Sequence, residues 1–137
     1  MLNDKLKLRE DSIVLCFDYG LKRIGVAVGN LLTQTARPLS VVHWSTNEQK
    51  WKAVLACVSE WKPDVIVVGV PFHDDGNPNS MTEVCRRFGR QLQGRVSIPI
   101  VYEDERFSSV EAESYSGSYE YIDDEAASII LQQWLNH

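Results

Sequence analysis

The sequence predicts a single α/β domain with the element order βββαβαβα, and three observations predict it. The first third of the chain carries three strand-like segments separated by turns, which is typical of a meander. A helix then leads into the continuous apolar run 65–70, the pattern of a strand buried on both faces of a parallel sheet. The 137 residues, of which 44% are hydrophobic, suffice for one core and leave little room for a second domain.

The first half of the chain supplies the meander and the crossover. Strands are expected over residues 13–19 and 23–29, joined by a tight turn at Gly20, and a third strand is expected near 39–44. The first helix follows, because apolar residues recur at helical spacing to about residue 62, and Ser45 and Glu48, which have capping-box spacing, indicate its start.

The middle of the chain continues the alternation after the strand 65–70. Residues 72–79 are rich in turn formers and follow the carboxyl end of that strand, where open α/β sheets commonly bind ligands, so we expect a loop at the rim of the active site. Ser80 and Glu83 again have capping-box spacing and predict a helix that stops at Gly94.

The last part of the chain predicts a strand and a helix. The strand is expected over residues 96–102, where Pro99 indicates an edge position. A short helix is expected from Ser108, followed by a loop over 114–121 and a final helix over 123–135.

Charge and hydropathy limit the possible functions. The net charge of −5 argues against indiscriminate electrostatic binding of nucleic acid, although it leaves room for a local basic site. No apolar stretch is as long as a membrane-spanning helix, and residues 1–12 carry charges where a signal peptide has an apolar block. We therefore expect a cytoplasmic protein with no membrane partner.

Three acidic sites are candidates for chemistry. Asp18 interrupts an apolar strand, where an unpartnered charge is costly, although an Asp that forms a turn before Gly20 is an alternative. Glu105 lies just past the last strand, and Asp123 or Asp124 begins the last helix. Each of these later sites also has a structural alternative: residues 103–105 as a solvated strand end, and the acids at 123–125 as residues that favour the helix dipole.

Carboxylates that converge from three elements would repel one another unless protons or cations intervene. Hard oxygen ligands favour Mg²⁺ or Mn²⁺ over zinc. Two such ions about 4 Å apart can activate a water and stabilise the leaving oxygen in phosphodiester hydrolysis. The acidic sites are therefore consistent with a metal-dependent nuclease.

Five blocks of the sequence resemble, in order, the YqgF (RuvX) family, whose members are described as candidate Holliday junction resolvases and candidate pre-16S rRNA nucleases. The blocks are residues 17–29 (FDYGLKRIGVAVG), 35–39 (TARPL), 68–71 (VGVP), 104–109 (DERFSS) and 123–131 (DDEAASIIL). The resemblance covers nearly the whole chain from Ser12 on. It implies a ribonuclease H-like fold, in which helices flank a mixed five-stranded sheet.

The resemblance also implies an activity and its residues. The family's acidic triad falls on Asp18, Glu105 and Asp123, as catalytic residues and ligands of Mg²⁺ or Mn²⁺, with two ions expected. Three further positions match basic residues that could hold substrate phosphates beside the metals: Lys22, Arg37 and Arg106. The implied substrate is nucleic acid, with precursor 16S rRNA favoured for 5′-end maturation and branched DNA possible, and pre-ribosomal particles are a candidate partner.

The sequence departs from the family pattern in two places, and three alternative functions are considered. The segment between Ser109 and Asp123 is shorter than in most relatives and lacks their Lys, which puts one substrate contact in question, and Phe107 and Ser109 replace the commoner Leu and Thr. A Holliday junction resolvase and a non-catalytic RNA-binding or ribosome-assembly factor are the main alternatives. A sugar-kinase-like phosphotransferase also has Asp-x-Gly after a strand, but it needs two such domains.

The choice between Asp123 and Asp124 depends on the helix face. Position 123 shares a face with residues 126, 127, 130 and 134, which is the more apolar of the two stripes, so Asp123 is expected to point toward the sheet. The alternative is that Asp123 is only the N-cap of the helix.

Overall fold

A computed structural model of the chain describes residues 8–105 and 123–137. Within these ranges the chain forms five strands and three helices in the predicted order. Their bounds are β1 Ile13–Tyr19, β2 Arg23–Asn30, β3 Thr35–His43, α1 Asn47–Trp61, β4 Val65–Val70, α2 Thr82–Gln93, β5 Ile100–Asp104 and α3 Asp123–Leu135. The short helix predicted from Ser108 and the loop predicted over 114–121 lie outside the described residues.

The strands form one mixed sheet in the order β3-β2-β1-β4-β5. The first three strands are antiparallel neighbours, whereas β4 pairs parallel with β1, and β5 pairs parallel with β4. This arrangement confirms the predicted meander, crossover and edge position of the last strand. Because β1, β4 and β5 run in the same direction, their carboxyl ends lie at one edge of the sheet, where open α/β sheets bind ligands.

Helices cover both faces of the sheet. Helices α1 and α2 pack on one face, against the side chains of Leu15, Phe17 and Ile66. Helix α3 packs on the other face, against Val14 and Cys16 and their neighbours on β4. All six residues of β4 are buried, as the continuous apolar run predicted. The two faces of the central strands are therefore distinct, and each side chain of β1 can be assigned to one of them.

Strand bounds differ from the prediction at the two edges of the sheet. Strand β3 begins at Thr35, four residues earlier than expected, and so includes Pro38. An edge strand tolerates proline, and a register shift opposite Val26 and Ala27 absorbs one extra residue of β3. At the other edge, β5 begins at Ile100, because Pro99 precedes it and cannot donate to the ladder.

Both predicted helix caps are wrong in detail. Helix α1 is capped by Thr46, whose side chain accepts from the backbone N–H of Gln49, so the capping box is one residue later than Ser45 and Glu48. Helix α2 begins at Thr82, and the side chain of Asn79 accepts from the N–H groups of Met81 and Thr82. Asn79 thus takes the role predicted for Ser80, because an Asx turn satisfies the same donors.

The loop that follows β4 lies at the edge of the sheet that holds the carboxyl ends of the parallel strands, in agreement with a rim position. Its residues 73–78 are exposed. In the ranges 8–105 and 123–137, none of the helices has the length and apolar character needed to span a membrane.

Candidate active site

Asp18 lies near the carboxyl end of β1, on the face of the sheet that α3 covers. Val14 and Cys16 pack in the cluster beneath α3, and side chains alternate along a strand, so Asp18 shares their face. The residue directly opposite on β2 is Gly25, which has no side chain. Asp18 is partly buried. The predicted turn role alone does not explain this position, because the carboxylate belongs to a fully paired strand.

Glu105 follows β5 directly and is held in place by the backbone. Its N–H donates to the carbonyl of Val70 at 3.0 Å. Its side chain lies over Gly69 of β4, since a Cβ built on Gly69 would be 3.1 Å from Glu105 Oε2. Strand β4 lies between β1 and β5, so this is the space that separates Glu105 from Asp18.

Gly69 is a functional position that sequence reasoning missed. Without a side chain at 69, the Glu105 carboxylate can lie across β4 and approach Asp18. A Cβ at Gly69 would also lie 2.9 Å from Cδ1 of Ile130 on α3, so the glycine lets the helix approach as well. The available signal was a glycine inside an otherwise β-branched buried strand, which often marks the close approach of another group.

The pKa of Glu105 is raised from its ordinary value of 4.5 to about 8. Burial is the largest cause, and the carboxylates of Asp18 and Asp104 add to it by repulsion. Burial, and then Asp18 and Glu105, likewise raise the pKa of the Cys16 thiol well above its ordinary value. Near neutral pH the Asp18–Glu105 pair therefore retains a proton unless a cation replaces it.

The third predicted ligand, Asp123, begins α3, but the side chains of Asp123 and Asp124 lie outside the described residues. The buried stripe of the helix consists of Ala127, Ile130, Leu131 and Leu135. The sequence predicted that the face of Asp123 packs on the sheet. The buried stripe includes residues that share a face with Asp123 and residues that share a face with Asp124, so burial favours neither acid. The choice of Asp123 stays a prediction.

The structure places the predicted basic residues in different locations. Lys22 is exposed in the turn between β1 and β2, at the edge of the sheet near Asp18. Arg37 is opposite Val28, which belongs to the core under α1, and its guanidinium lies 5.4 Å from the centre of the Trp61 ring. Arg37 is therefore on the other face of the sheet from Asp18, and the structure does not bring the two together. Arg106 lies outside the described residues.

Glu103 differs from its acidic neighbours in having a structural role. It is only 7% exposed, and it accepts a hydrogen bond from Gln133 Nε2 at 2.5 Å and lies 2.8 Å from His137 Nε2. These contacts join the end of α3 to β5. For Glu103, the alternative of a solvated strand end is therefore wrong.

In the described part of the chain, the predicted metal ligands are the pair Asp18 and Glu105. Among residues 8–105 and 125–137, no three His, Cys, Asp or Glu side chains form a group that could hold a metal ion. The donor chemistry of the pair nevertheless suits a hard divalent cation, because both groups are carboxylates and a cation relieves the repulsion that raises the Glu105 pKa.

Comparison with known sequences gives a consistent family. Residues 12–137 match the family model RuvX, described as Holliday junction resolvase. A protein of Paraburkholderia phytofirmans, named as a candidate pre-16S rRNA nuclease, is 52% identical over 130 residues, which are 92% of this chain and 89% of the relative. A Burkholderia mallei protein with the same name is 51% identical over 133 residues, which are 94% of this chain and 91% of the relative.

Comparison with solved structures supports the ribonuclease H-like fold. The chain is similar to Thermus thermophilus RuvC in complex with a Holliday junction substrate, with a TM-score of 0.62 at 15% identity, over 91% of this chain and 94% of the other. It is also similar to the fowlpox virus Holliday junction resolvase, with a TM-score of 0.56 at 13% identity, over 90% and 98% of the two chains. These likenesses confirm the fold implied by the sequence resemblance.

Proposed function

This chain belongs to the RuvX family of Holliday junction resolvases, and on that premise we propose that it uses Asp18, Glu105 and Asp123 to hold Mg²⁺ or Mn²⁺ and cut precursor 16S rRNA. The family and the nuclease relatives identify the chain as a nuclease that hydrolyses phosphodiester bonds.

The approach of Glu105 to Asp18 over Gly69 is the observation that carries the proposal. The carboxylate of Asp18 on β1 and that of Glu105 just past β5 share a partly buried space, and the pKa of Glu105 is raised to about 8. Such a pair destabilises the fold, so its presence calls for a functional reason. A carboxylate with a perturbed pKa beside a second carboxylate is typical of catalytic and metal sites. When bound, a divalent ion supplies an activated water and stabilises the leaving oxygen.

The chain's own residues have separate tasks in this scheme. Asp18 is fixed by its pairing with Gly25 of β2 and by its neighbour Phe17, which is paired on both sides of β1. The backbone N–H of Glu105 donates to the Val70 carbonyl, and its carboxylate lies in the space over Gly69. Asp123 would add a third carboxylate from the start of α3. Lys22 and Arg106 would hold the phosphates that flank the scissile bond, whereas Arg37 could touch only a substrate that extends to the other face of the sheet.

The names of the relatives favour precursor 16S rRNA as the substrate, processed in the cytoplasm, with pre-ribosomal particles as a partner. Branched DNA is the second candidate, because the family model is described as Holliday junction resolvase. Because residues that bind phosphate carry no sequence information, the same basic residues would serve either substrate.

Side-by-side cleavage of a precursor 16S rRNA fragment and a four-way DNA junction tests the proposal. With Mg²⁺ or Mn²⁺, the wild type should cut the RNA and Asp18→Asn should not. Glu60→Gln, which changes an exposed carboxylate on α1, on the other face of the sheet from Asp18, should cut like the wild type. Cleavage of the junction alone would move the substrate to branched DNA. Binding of the RNA without cleavage at any metal concentration would favour a non-catalytic assembly factor.

A further inference from the structure

A basic cleft opens beside the candidate active site, at the edge of the sheet where β1 ends and β2 begins. It has a volume of about 460 Å³ and is lined by Lys22, Arg23, His43, Trp44, Ser45 and Gln49. Its residues come from the turn after β1, the start of β2, the end of β3 and the first turns of α1. No Asp or Glu is among the lining residues of the described chain.

The register of the strands places Arg23 and His43 on the same face as Asp18. They are directly opposite each other in the β2–β3 ladder. Their neighbours Ile24 and Val42 are buried in the core under α1 and α2, so alternation places Arg23 and His43 on the α3 face. Asp18 is opposite Gly25, two residues beyond Arg23 on β2 and on that same face.

The cleft is close enough to contact the strand that the carboxylate pair would cut. Arg23 is two residues from the level of Asp18, about 7 Å along the strand, and His43 is two strands away, about 10 Å across the sheet. At about 3.4 Å per nucleotide of one strand, these distances correspond to roughly two to four nucleotides.

The charge of the cleft selects an anionic ligand. Lys22 and Arg23 are exposed cations, and the exposed His43 adds ring nitrogens that can hydrogen-bond a phosphate. The chain as a whole carries −5, so this grouping of basic residues is not a consequence of its composition. Trp44 also lines the cleft, but its ring packs against the core under α1 and α2, with Lys50 Nζ 4.7 Å from the ring centre, so the polar contacts are left to the basic residues.

We propose that this cleft binds the phosphate backbone of the nucleic acid strand adjacent to the scissile bond, with Arg23 and His43 as contacts. The inference rests on the proposed function, because it assumes that Asp18 and Glu105 mark the cutting site. It extends that function by adding two binding residues and a direction in which the substrate leaves the carboxylate pair, across β2 toward β3.

Binding without cleavage tests the cleft separately from the chemistry. Anisotropy of a fluorescein-labelled precursor 16S rRNA fragment, titrated in EDTA over a range of salt concentrations, would be measured for the wild type and for Arg23→Gln, His43→Gln and the double variant. Arg87→Gln is the matched control, since it removes an exposed arginine on α2 outside the cleft. Melting temperatures verify that each variant is folded.

The double variant should bind about 10-fold more weakly than the wild type, and the slope of log affinity against log salt should fall by about 0.7 for each phosphate that the variant no longer binds. Arg87→Gln should change affinity less than about 2-fold. Equal losses of affinity in the control and the cleft variants, or unchanged binding in the double variant, would overturn the proposal. Cleft-dependent binding by a wild type that fails to cut would uphold the cleft and reject the proposed nuclease chemistry.

Discussion

Replacement of Glu105 by Gln should stabilise the metal-free protein at alkaline pH. Burial and two nearby carboxylates raise the pKa of Glu105 from 4.5 to about 8. A carboxyl group with a raised pKa contributes its full stability below pH 4.5, and that contribution is lost as the pH rises to about 8. Gln cannot ionise and keeps nearly the same shape, so the variant should not lose this contribution.

The size of the effect follows from the pKa. Each pH unit between 4.5 and about 8 costs the wild type about 1.4 kcal/mol, so the largest possible loss is about 5 kcal/mol. Water that reaches a partly exposed carboxylate reduces this loss, and we expect about 2 to 4 kcal/mol. The free energy of unfolding of Glu105→Gln minus that of the wild type should therefore be small near pH 5 and reach this value above pH 8.

Urea unfolding in EDTA, at several values between about pH 5 and 9, measures this difference directly. Glu60→Gln controls for the removal of one negative charge, because Glu60 is exposed on α1, on the other face of the sheet from Asp18. Its curve should run parallel to that of the wild type. Parallel curves for Glu105→Gln as well would refute the reasoning, since they would mean that Glu105 ionises in the folded protein as it does in water.

Three further predictions concern Gly69, the predicted phosphate-binding arginines and the start of α3. Gly69→Ala should reduce activity at least about 10-fold and cost about 1–3 kcal/mol of stability, because its Cβ would lie 3.1 Å from Glu105 Oε2 and 2.9 Å from Ile130. Gly89→Ala, which would clash with Tyr102 instead, should destabilise but leave the activity of folded protein unchanged in a cleavage assay. Arg106→Ala should weaken substrate binding and flatten its salt dependence, whereas Arg37→Ala should do so only for substrates long enough to reach the other face, which binding titrations with short and long RNA can compare. Asp123→Asn should lose activity with little loss of stability because Asn keeps the cap, while Asp124→Asn stays active; the reverse result in the same assay would move the third ligand to Asp124.

The parts of the fold that follow from local pattern could be predicted from the sequence. The bounds of β1, β4 and α3 agree with the structure, because an apolar run or a helical stripe bounded by turn residues determines each of them. The capping box of α1 lies one residue later than predicted, because Thr46 and Gln49 form it in place of Ser45 and Glu48. Such small differences do not affect the site.

The parts that depend on register and strand order could not be predicted. Strand β4 lies between β1 and β5, and its Gly69 leaves the space in which the Glu105 carboxylate approaches Asp18. Neither the strand order nor this space can be inferred from the spacing of the acids. Arg37 lies on the face opposite Asp18 because the register shift in the β2–β3 ladder adds one residue, and a shift of one residue moves a side chain to the other face.

Mn²⁺ binding by the carboxylate pair is the central claim, and thermal unfolding at about pH 8 with and without Mn²⁺ tests it most directly. An ion that binds only the folded state at 100 times its Kd adds about 2.7 kcal/mol of stability, which is a rise of several degrees in Tm. We predict that rise for the wild type and for Glu60→Gln, and little or none for Asp18→Asn and Glu105→Gln. A rise of equal size in all four proteins would contradict the account, because it would place the ion elsewhere on the surface.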